Sequence, residues 1–359
     1  MSVGMSGGSP AGSSSGVTTG ALTGAMSSQT GNTGDRDNLA ALSDAATKIR
    51  RSIESVIEGK REVVKLAITV LLGEGHLLIE DVPGVGKTML AKALARSIDC
   101  SVRRVQFTPD LLPSDITGVS IFNQERRDFE FKPGAIFANI VVGDEINRAS
   151  PKTQSAMLEC MEERQVTVDG ISYELGIPFM VVATQNPIEM EGTYPLPEAQ
   201  RDRFMARVSM GYPAEQAELD MLDTHSQASP LDTLEPVSDA QEIANMIKTV
   251  RTVHVSEQVK RYAIDLVTAT RTSPDLRLGA SPRATLHLVR ASRAAAALDD
   301  RDYVLPDDMQ DLAPSVLSHR LLPTAEAQIS RRLTEDIVRD IVSRVAVPGD
   351  STRARRDDS

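Results

Sequence analysis

The chain has 359 residues, 41% of them apolar and 25% charged, which is a globular composition long enough for about two domains. Aromatic residues make up only 3% and tryptophan is absent, so the core must be aliphatic. The 50 acidic and 39 basic residues give a net charge of −11, which argues against a general nucleic-acid coat or a polybasic membrane anchor. A local basic patch stays possible.

The two cysteines, Cys100 and Cys160, lie far apart and form no CxxC pair, which excludes a disulfide scaffold and a cysteine-based zinc site. No apolar run approaches the ~18 residues of a membrane-spanning helix. The N-terminus shows no basic segment followed by an apolar stretch, unlike a secretory signal. We therefore expect a soluble cytoplasmic protein without membrane insertion.

The two ends of the chain predict flexible tails. Gly, Ser and Thr dominate the first 34 residues, which carry no charge, and such a segment buries too little apolar surface to offset its ordering entropy. Residues 1–38 are predicted to be a disordered tail, and residues 347–359 a second one. From Leu39 to Ile57 apolar residues recur at helical spacing, and Val63 to Leu72 continues this pattern after Gly59.

Short apolar runs then alternate with helix-like stretches, which predicts a parallel sheet with flanking helices. Four buried strands are predicted at His76–Glu80, Val102–Phe107, Asn139–Val142 and Phe179–Ala183, and helices are predicted at 87–98 and 151–163. Hairpins are predicted at 119–131 and at 165–175, the second across Asp169-Gly170, a favoured two-residue turn.

After Tyr212 the pattern becomes helical and no further strand is predicted. Helices are expected at 213–226, 238–252, 256–271, 282–298 and 306–319. Ser281-Pro282 is a clear helix start, because a capping residue precedes a proline in the first turn. The chain thus divides into an α/β core at 39–212 and a small all-α domain at 213–346.

A phosphate-binding loop follows the first predicted strand. Gly84, Gly86, Lys87 and Thr88 match the pattern GxxxxGK[ST], whereas Asp81 stands where that pattern has its first glycine. Backbone N–H groups of such a loop cradle phosphate oxygens, the lysine reaches the β and γ oxygens, and the hydroxyl ligates Mg²⁺. The alternative is a glycine-rich turn before an ordinary helix. The nucleotide-binding stretch comprises Val82, Pro83, Gly84, Val85, Gly86, Lys87, Thr88 and Met89.

Two polar groups follow later strands. Asp144 is placed to hold Mg²⁺ through a water, and Glu145 to polarise the attacking water, although an acid pair at a strand end also serves as a helix cap. Asn186 can position that water by its amide, or Asn186-Pro187 forms a plain turn. A GTPase would need a base-selecting NKxD, and the chain contains none.

Several strings together resemble the MoxR branch of the AAA+ ATPases. They are Glu80–Thr88, Gln106–Gly118, Asp144–Ala149, Leu196–Phe204 and Gly279–Ala284. The resemblance runs from about Leu39 to residue 340 and implies a P-loop AAA+ core followed by a helical lid. It also implies that the two hairpins are insertions used near a ring pore.

The resemblance assigns roles residue by residue. It implies that Asn186 is the sensor-1 group, Arg203 the arginine finger supplied to a neighbouring subunit, and Arg283 the sensor-2 group reaching from the lid. Val56, Ile57 and Gly59 align with the segment that packs on adenine. Family members more often have an apolar residue at the position of Arg201, so either Arg201 or Arg203 faces the neighbour.

Residue type alone gives the arginines other interpretations. Arg203 can pair with Asp202 or be a solvated charge, and Arg283 can be a helix N-terminal charge facing water. With the resemblance, the sequence predicts an ATP hydrolase that uses ATP and Mg²⁺ in a homo-oligomeric ring of six subunits.

The expected work is chaperone-like remodelling or maturation of protein complexes, with a client and a von Willebrand factor A domain partner. The alternatives are a metal-chelatase motor subunit and a nucleotide-dependent assembly scaffold with slow turnover. A nucleic-acid motor is disfavoured by the net charge of −11 and the few aromatic residues.

Overall fold

A computed structural model describes residues 31–348 of the chain, except 58, 83, 187–191 and 213–229. Most of the two predicted tails (residues 1–30 of 1–38 and residues 349–359 of 347–359) and all of the predicted helix 213–226 lie outside the described residues. Within the described part, no helix is both long and apolar enough to cross a bilayer.

The core contains nine strands and six α-helices among its described residues. The strands are β1 (Leu77–Glu80), β2 (Val102–Gln106), β3 (Gly118–Asn123), β4 (Asp128–Pro133), β5 (Ile140–Asp144), β6 (Gln165–Val168), β7 (Ile171–Glu174), β8 (Met180–Gln185) and β9 (Ala206–Val208). The helices are α1 (Gly31–Glu54), α2 (Arg61–Leu72), α3 (Lys87–Ser97), α4 (Pro113–Thr117), α5 (Pro151–Glu163) and α6 (Glu198–Arg201).

Five parallel strands form the central sheet in the order β2-β5-β8-β1-β9. Successive side chains of a strand point to opposite faces, and both faces of β1, β5 and β8 are buried, whereas the edge strand β2 is mostly exposed. Leu77 and Ile79 of β1 join one apolar cluster, while Leu78 between them joins the other. The parallel sheet with helices on both faces therefore has two aliphatic cores. The four predicted strands are confirmed, but the expected burial is wrong for β2, which lies at the edge of the sheet.

The two predicted hairpins are present as β3-β4 and β6-β7. The turn of the second hairpin places Asp169 at φ 51° and Gly170 at φ 81°. Two successive positive φ values are typical of the tight turn that matches strand twist, as the Asp-Gly pair predicts.

The described residues from 230 onwards form a helical lid. Its helices are α7 (Ala240–Thr252), α8 (Glu257–Thr272), α9 (Pro282–Leu298), α10 (Pro306–Leu317), α11 (Ala325–Ile329) and α12 (Thr334–Arg344). Ser281 caps α9 by accepting a hydrogen bond from the backbone N–H of Arg283, as predicted. The α/β core and the helical lid confirm the predicted fold class.

Two expectations need correction. Strands do not stop at Tyr212, because β10 (Leu276–Leu278) and β11 (Leu322–Pro323) pair in an antiparallel way inside the lid. The helix α1 begins at Gly31, within the segment 1–38 that was predicted to be disordered. Leu39 is buried and marks the start of the helical apolar pattern, whereas residues 36–38 are exposed and give no such signal.

Candidate nucleotide-binding site

The phosphate loop joins β1 to α3 and depends on two glycines in left-handed conformations. Gly84 has φ 86°, and Gly86, which caps α3, has φ 88°. A Cβ on Gly84 would meet nothing within 4 Å, and one on Gly86 would meet only Met210 and Met89, at 3.9 and 4.0 Å. Backbone conformation rather than space therefore requires glycine at both positions. Pro83 lies outside the described residues.

Asp81, which replaces the first glycine of the strict pattern, has a structural role. Its carboxylate accepts hydrogen bonds from Ser209 Oγ at 2.7 Å, from the N–H of Gly211 at 2.6 Å and from the N–H of Val82 at 2.8 Å. Burial raises the pKa of Asp81, but these hydrogen bonds outweigh it and lower the pKa overall. Asp81 thus ties the loop entry to the segment that follows β9.

Lys87 and Thr88 begin α3 and face the carboxyl edge of the sheet. Lys87 Nζ donates to the carbonyl of Asp81 at 2.7 Å and lies 3.5 Å from the carbonyl of Gln185. It therefore spans the ends of β1 and β8. Thr88 Oγ1 lies 3.1 and 3.2 Å from the two carboxylate oxygens of Asp144. The hydroxyl and the carboxylate that were predicted to hold Mg²⁺ are in direct contact.

Asp144 ends the buried strand β5 and is only 5% exposed. Arg104 Nε of the neighbouring strand lies 2.6 Å from its Oδ2, and Thr184 Oγ1 lies 3.3 Å from Oδ1. Arg104 therefore balances the charge of the buried carboxylate. Oxygen donors of this kind are what Mg²⁺ binds, so Thr88 and Asp144 fit the ion.

Glu145 follows Asp144 in a left-handed conformation, with φ 58°. Its N–H donates to Thr184 Oγ1 at 3.0 Å, which fixes the backbone. Its carboxylate, 32% exposed, accepts from Gln106 Nε2 at 2.9 Å and pairs with Arg148 Nε at 3.0 Å. The side chain is therefore held at the mouth of the site and in reach of solvent, as a group that activates water requires.

Asn186 directly follows β8 and is 4% exposed. β8 lies between β1 and β5, and its last residue, Gln185, is in register with Glu80 at the end of β1. Asn186 therefore lies at the same edge as the phosphate loop and the acid pair. Residues 187–191, which include the second residue of the alternative Asn186-Pro187 turn, lie outside the described residues.

The segment expected to pack on adenine lies beside the phosphate loop. Ile57 is 7% exposed and shares one apolar cluster with Met210, and partly buried Val56, Val85 and Met89 pack against that cluster. Gly59 has φ 73° and turns the chain towards Lys60, whose Nζ donates to the carbonyl of Tyr212 at 2.9 Å. The apolar surroundings suit a nucleotide base.

Arg203 and Arg283 lie together at the opposite edge of the sheet. Both pair with Glu162, near the end of α5: Arg203 Nε is 3.0 Å from Oε2, and an Arg283 Nη contacts Oε1. The preceding residue, Met161, accepts from the side chain of His76, which directly precedes β1. The alternative pairing of Arg203 with Asp202 is not seen, since Asp202 instead lies 3.5 Å from Arg283 Nη1.

The two edges are separated by the length of β1. Four strand residues span about 13 Å at ~3.3 Å per residue, and the phosphate loop begins at the far end. The guanidinium groups of Arg203 and Arg283 are held at Glu162, so neither contacts the phosphate loop of its own chain. Arg201, the alternative finger, is 21% exposed and lies 3.9 Å from Glu198.

Sequence reasoning missed several partners of these groups. Arg104 and Gln106 on β2 contact the acid pair, and Glu162 joins the two arginines. The alternation of Arg104 and Gln106 along a strand signals that both lie on one face. Nothing local connects Glu162 to the arginines, because the pairing depends on how α5 packs.

The family models match both parts of the chain. Residues 76–206 match the ATPase family associated with various cellular activities (AAA), and residues 268–341 match the AAA lid domain. Chaperone MoxR1 of Mycobacterium tuberculosis is 37% identical over 324 residues, which cover 88% of this chain and 85% of that protein. The chain belongs to the MoxR family of AAA+ ATPases.

Other relatives agree with this membership. An uncharacterised Bacillus subtilis protein, YeaC, is 52% identical to this MoxR-family chain over 296 residues, 82% of the chain and 92% of YeaC. A crystal structure of a candidate ATPase from Cytophaga hutchinsonii superposes with a TM-score of 0.81 at 36% identity and covers 88% of this chain and 98% of that one. The resemblance inferred from the motifs is confirmed, and the family membership supports nucleotide binding and ATP hydrolysis in general.

Proposed function

We propose that this MoxR-family chain hydrolyses ATP at sites shared between neighbouring subunits of a homo-oligomeric ring, with six subunits as the expected number. The observation that carries the proposal is the separation of the catalytic groups. The phosphate loop, Asp144 and Glu145 occupy one edge of the sheet, whereas Arg203 and Arg283 meet at Glu162 on the other. Head-to-tail association brings the second edge of one subunit to the first edge of the next.

In the shared site, the backbone of the loop and Lys87 bind the phosphates, and Val56 and Ile57 pack against the base. Thr88 and Asp144 would hold Mg²⁺, which neutralises charge on the phosphate oxygens when bound. Glu145 accepts a proton from the attacking water, and Asn186 orients that water from the next strand. Arg203 of the neighbour stabilises negative charge developing on the γ-phosphate, an effect that is worth roughly 10³–10⁵ in rate.

It is electrostatically reasonable that Arg203 and Arg283 leave Glu162 and bind a γ-phosphate instead. Glu162 is 42% exposed at its side chain, so its pairs with Arg203 and Arg283 are partly screened by water and cost little to break. A phosphate offers the same two arginines more charge in a drier site. Glu162 therefore binds the two arginines and keeps them together until a neighbouring subunit docks.

The work driven by hydrolysis is proposed to be chaperone-like remodelling of a client protein complex in the cytoplasm, with a von Willebrand factor A domain protein as partner. The name Chaperone MoxR1, given to a relative that is 37% identical, supports this proposal. Glu145 and Arg203 favour a turning-over motor rather than a slow scaffold, since a scaffold needs neither a base nor a finger.

Mixed rings test the shared site. Lys87→Ala removes phosphate binding but leaves a normal Arg203, and Arg203→Ala does the reverse, so each homogeneous ring should be inactive. In rings co-expressed at equal ratio and purified through two tags, about a quarter of the interfaces join an intact loop to an intact arginine. We expect ATPase activity to return to roughly that fraction of the unsubstituted rate.

Arg201→Ala is the matched comparison, because it removes the arginine that ends the short helix α6, two residues before Arg203. Rings of Arg201→Ala alone should stay active if Arg203 is the finger. If homogeneous Arg201→Ala rings are inactive and mixing with Lys87→Ala subunits restores ATPase activity, then Arg201 is the arginine finger. Mixed Lys87→Ala and Arg203→Ala rings without activity would contradict the proposal.

A further inference from the structure

The lid holds the segment that carries the proposed finger. We call residues Asp202, Arg203 and Phe204 the arginine turn, which joins α6 to β9. Ser281 Oγ, at the start of α9, lies 2.9 and 2.8 Å from the two carboxylate oxygens of Asp202. On the other side of Arg203, the carbonyl of Phe204 accepts a hydrogen bond from His319 Nε2 at 3.1 Å. Both chain neighbours of Arg203 are thus bound by lid residues.

Arg320 is the central group in this contact. It lies just after α10, and its side chain is 1% exposed. Its Nε lies 2.9 Å from Asp202 Oδ1, which makes a buried ion pair. Its Nη2 lies 3.2 Å from the carbonyl of Asp202 and 2.5 Å from the carbonyl of Phe204. One planar guanidinium therefore fixes the backbone before and after Arg203.

The same guanidinium is anchored in the lid. Its Nη1 donates to the carbonyl of Val316 in α10, and its Nη2 donates to His287 Nδ1 of α9 at 2.6 Å. His287 accepts this bond only when it is neutral at Nδ1, and burial together with the charge of Arg320 lowers its pKa to about 2. Arg320 is thus bound to two lid helices and to the arginine turn at once.

The chemistry of the contact points to positioning rather than to charge alone. A lone buried ion pair is weak evidence for stability, because desolvation offsets its attraction. Arg320 differs because its Nη2 reaches two backbone carbonyls that flank a single residue, while Nε and Nη1 contact Asp202 and Val316. Arginine suits such planar multidentate contacts, which a lysine ammonium cannot reproduce.

The lid is also joined to the nucleotide side of the core. Ser43 Oγ of α1 donates to the carbonyl of Leu298 at 3.2 Å, and Lys65 Nζ of α2 lies 3.2 Å from Asp299. The segment Val56–Gly59 lies between these two helices. The lid is therefore bound both to the arginine turn and to the two helices that flank the base-binding segment in the chain.

We propose that Arg320 is a positioning residue that couples the lid to the arginine turn, so that the lid of one subunit sets how Arg203 meets the neighbouring site. The inference rests on the proposed function and adds to it a route between successive sites. The side chain of Arg320 is 1% exposed, so it acts through the groups of its own chain that it binds. Loss of Arg320 impairs the Arg203 that a subunit contributes to its neighbour's site. It leaves intact the phosphate loop of that subunit's own site.

The test uses this asymmetry in mixed rings of the full chain. Homogeneous Arg320→Met rings should lose about 100-fold in ATPase rate, as expected for misplacement of a reacting group by ~1 Å. Their affinity for a fluorescent ATP analogue should stay unchanged. Mixing with Lys87→Ala subunits, which carry a normal arginine turn, should restore activity. Mixing with Arg203→Ala subunits should not, because neither subunit then gives a working arginine.

Two further variants make the test decisive. Arg320→Lys keeps the charge beside Asp202 but loses the fork, and it should show the same pattern of restoration; it also carries the test if Arg320→Met does not fold. Arg332→Met is the matched control, because among the described residues Arg332 pairs with two carboxylates of the lid, Asp275 at 2.7 Å and Asp340. We expect Arg332→Met rings to retain normal ATPase activity.

Each outcome decides a separate point. Suppose that mixed Lys87→Ala and Arg203→Ala rings regain ATPase activity, but rings that mix Lys87→Ala with an Arg320 variant do not. The positioning role of Arg320 is then overturned and the proposed function stands. Full activity of both Arg320 variants, or the same loss in Arg332→Met, also overturns it. If Lys87→Ala and Arg203→Ala fail to restore each other, the shared site and this inference fall together.

Discussion

Three buried histidines should make the protein lose stability when the pH is lowered mildly. His76 is fully buried against the sheet, and burial lowers its pKa from 6.5 to about 4. Burial lowers the pKa of His287 to about 2, and burial with the neighbouring Arg320 lowers that of His319 well below 6.5. All three are neutral in the folded protein at neutral pH, whereas the unfolded chain protonates them as pH falls through 6.5.

The sign and size follow from proton linkage. Because the unfolded state binds more protons, the free energy of unfolding falls as pH drops below 6.5, and for His76 the loss is complete near pH 4. Between about pH 7.5 and 5.5 each such histidine costs about 1.3 kcal/mol, so the three together cost about 4 kcal/mol. Carboxylates contribute little in this window. Glu74, whose burial is outweighed by hydrogen bonds from Arg251 and Arg164, has its pKa lowered to about 2 and loses its contribution only below its usual 4.5.

Urea unfolding followed by circular dichroism over this pH range measures the effect. The His76→Gln variant should lose about a third of the pH dependence, since it removes one of the three groups. His254→Gln changes an exposed histidine and serves as the substitution control for folding at neutral pH. A free energy of unfolding that is constant between about pH 7.5 and 5.5 would refute the reasoning, because it would mean that these histidines titrate alike in both states.

Three further predictions concern the site. Glu145→Gln should bind ATP normally but release phosphate about 10²–10⁴-fold more slowly, and unchanged turnover would exclude Glu145 as the base. Thr88→Val should raise the Mg²⁺ concentration for half-maximal turnover about tenfold or more, while Thr88→Ser should not; equal requirements would remove the hydroxyl from the metal site. Gly86→Ala should lower the free energy of unfolding by about 1–2 kcal/mol because φ is 88° at this position, whereas the control Gly176→Ala should not. Equal urea midpoints for the two variants would contradict a cost that comes from the left-handed backbone.

Local patterns predicted the part of the site that local chain geometry builds. The phosphate loop needs only a strand, two glycines and a helix start, all contained between Leu77 and Thr88. The strands β1, β5 and β8 were predictable because a parallel sheet covered on both faces requires nearly continuous apolar runs, whereas the edge strand β2 is mostly exposed. The acid pair and Asn186 could then be placed at the same edge, since they follow neighbouring parallel strands.

Features that depend on distant parts of the chain were not predictable from local patterns. β9 has only three residues, and β11 has two, so neither gives a measurable periodicity. The predicted role of Arg283 gave no indication that it shares Glu162 with Arg203 far from its own phosphate loop. Arg320 resembles any charged residue at a helix end, and only packing of the lid on the core buries it.

The central claim is that the site is completed by a second subunit, and ATPase activity measured against protein concentration tests it most directly. With sizing at each concentration, the rate per subunit should rise from nanomolar to tens of micromolar protein as rings assemble. Arg203→Ala should stay inactive throughout. A constant rate per subunit at a concentration where sizing shows only monomers would contradict the claim, because it would show that one chain contains the complete site.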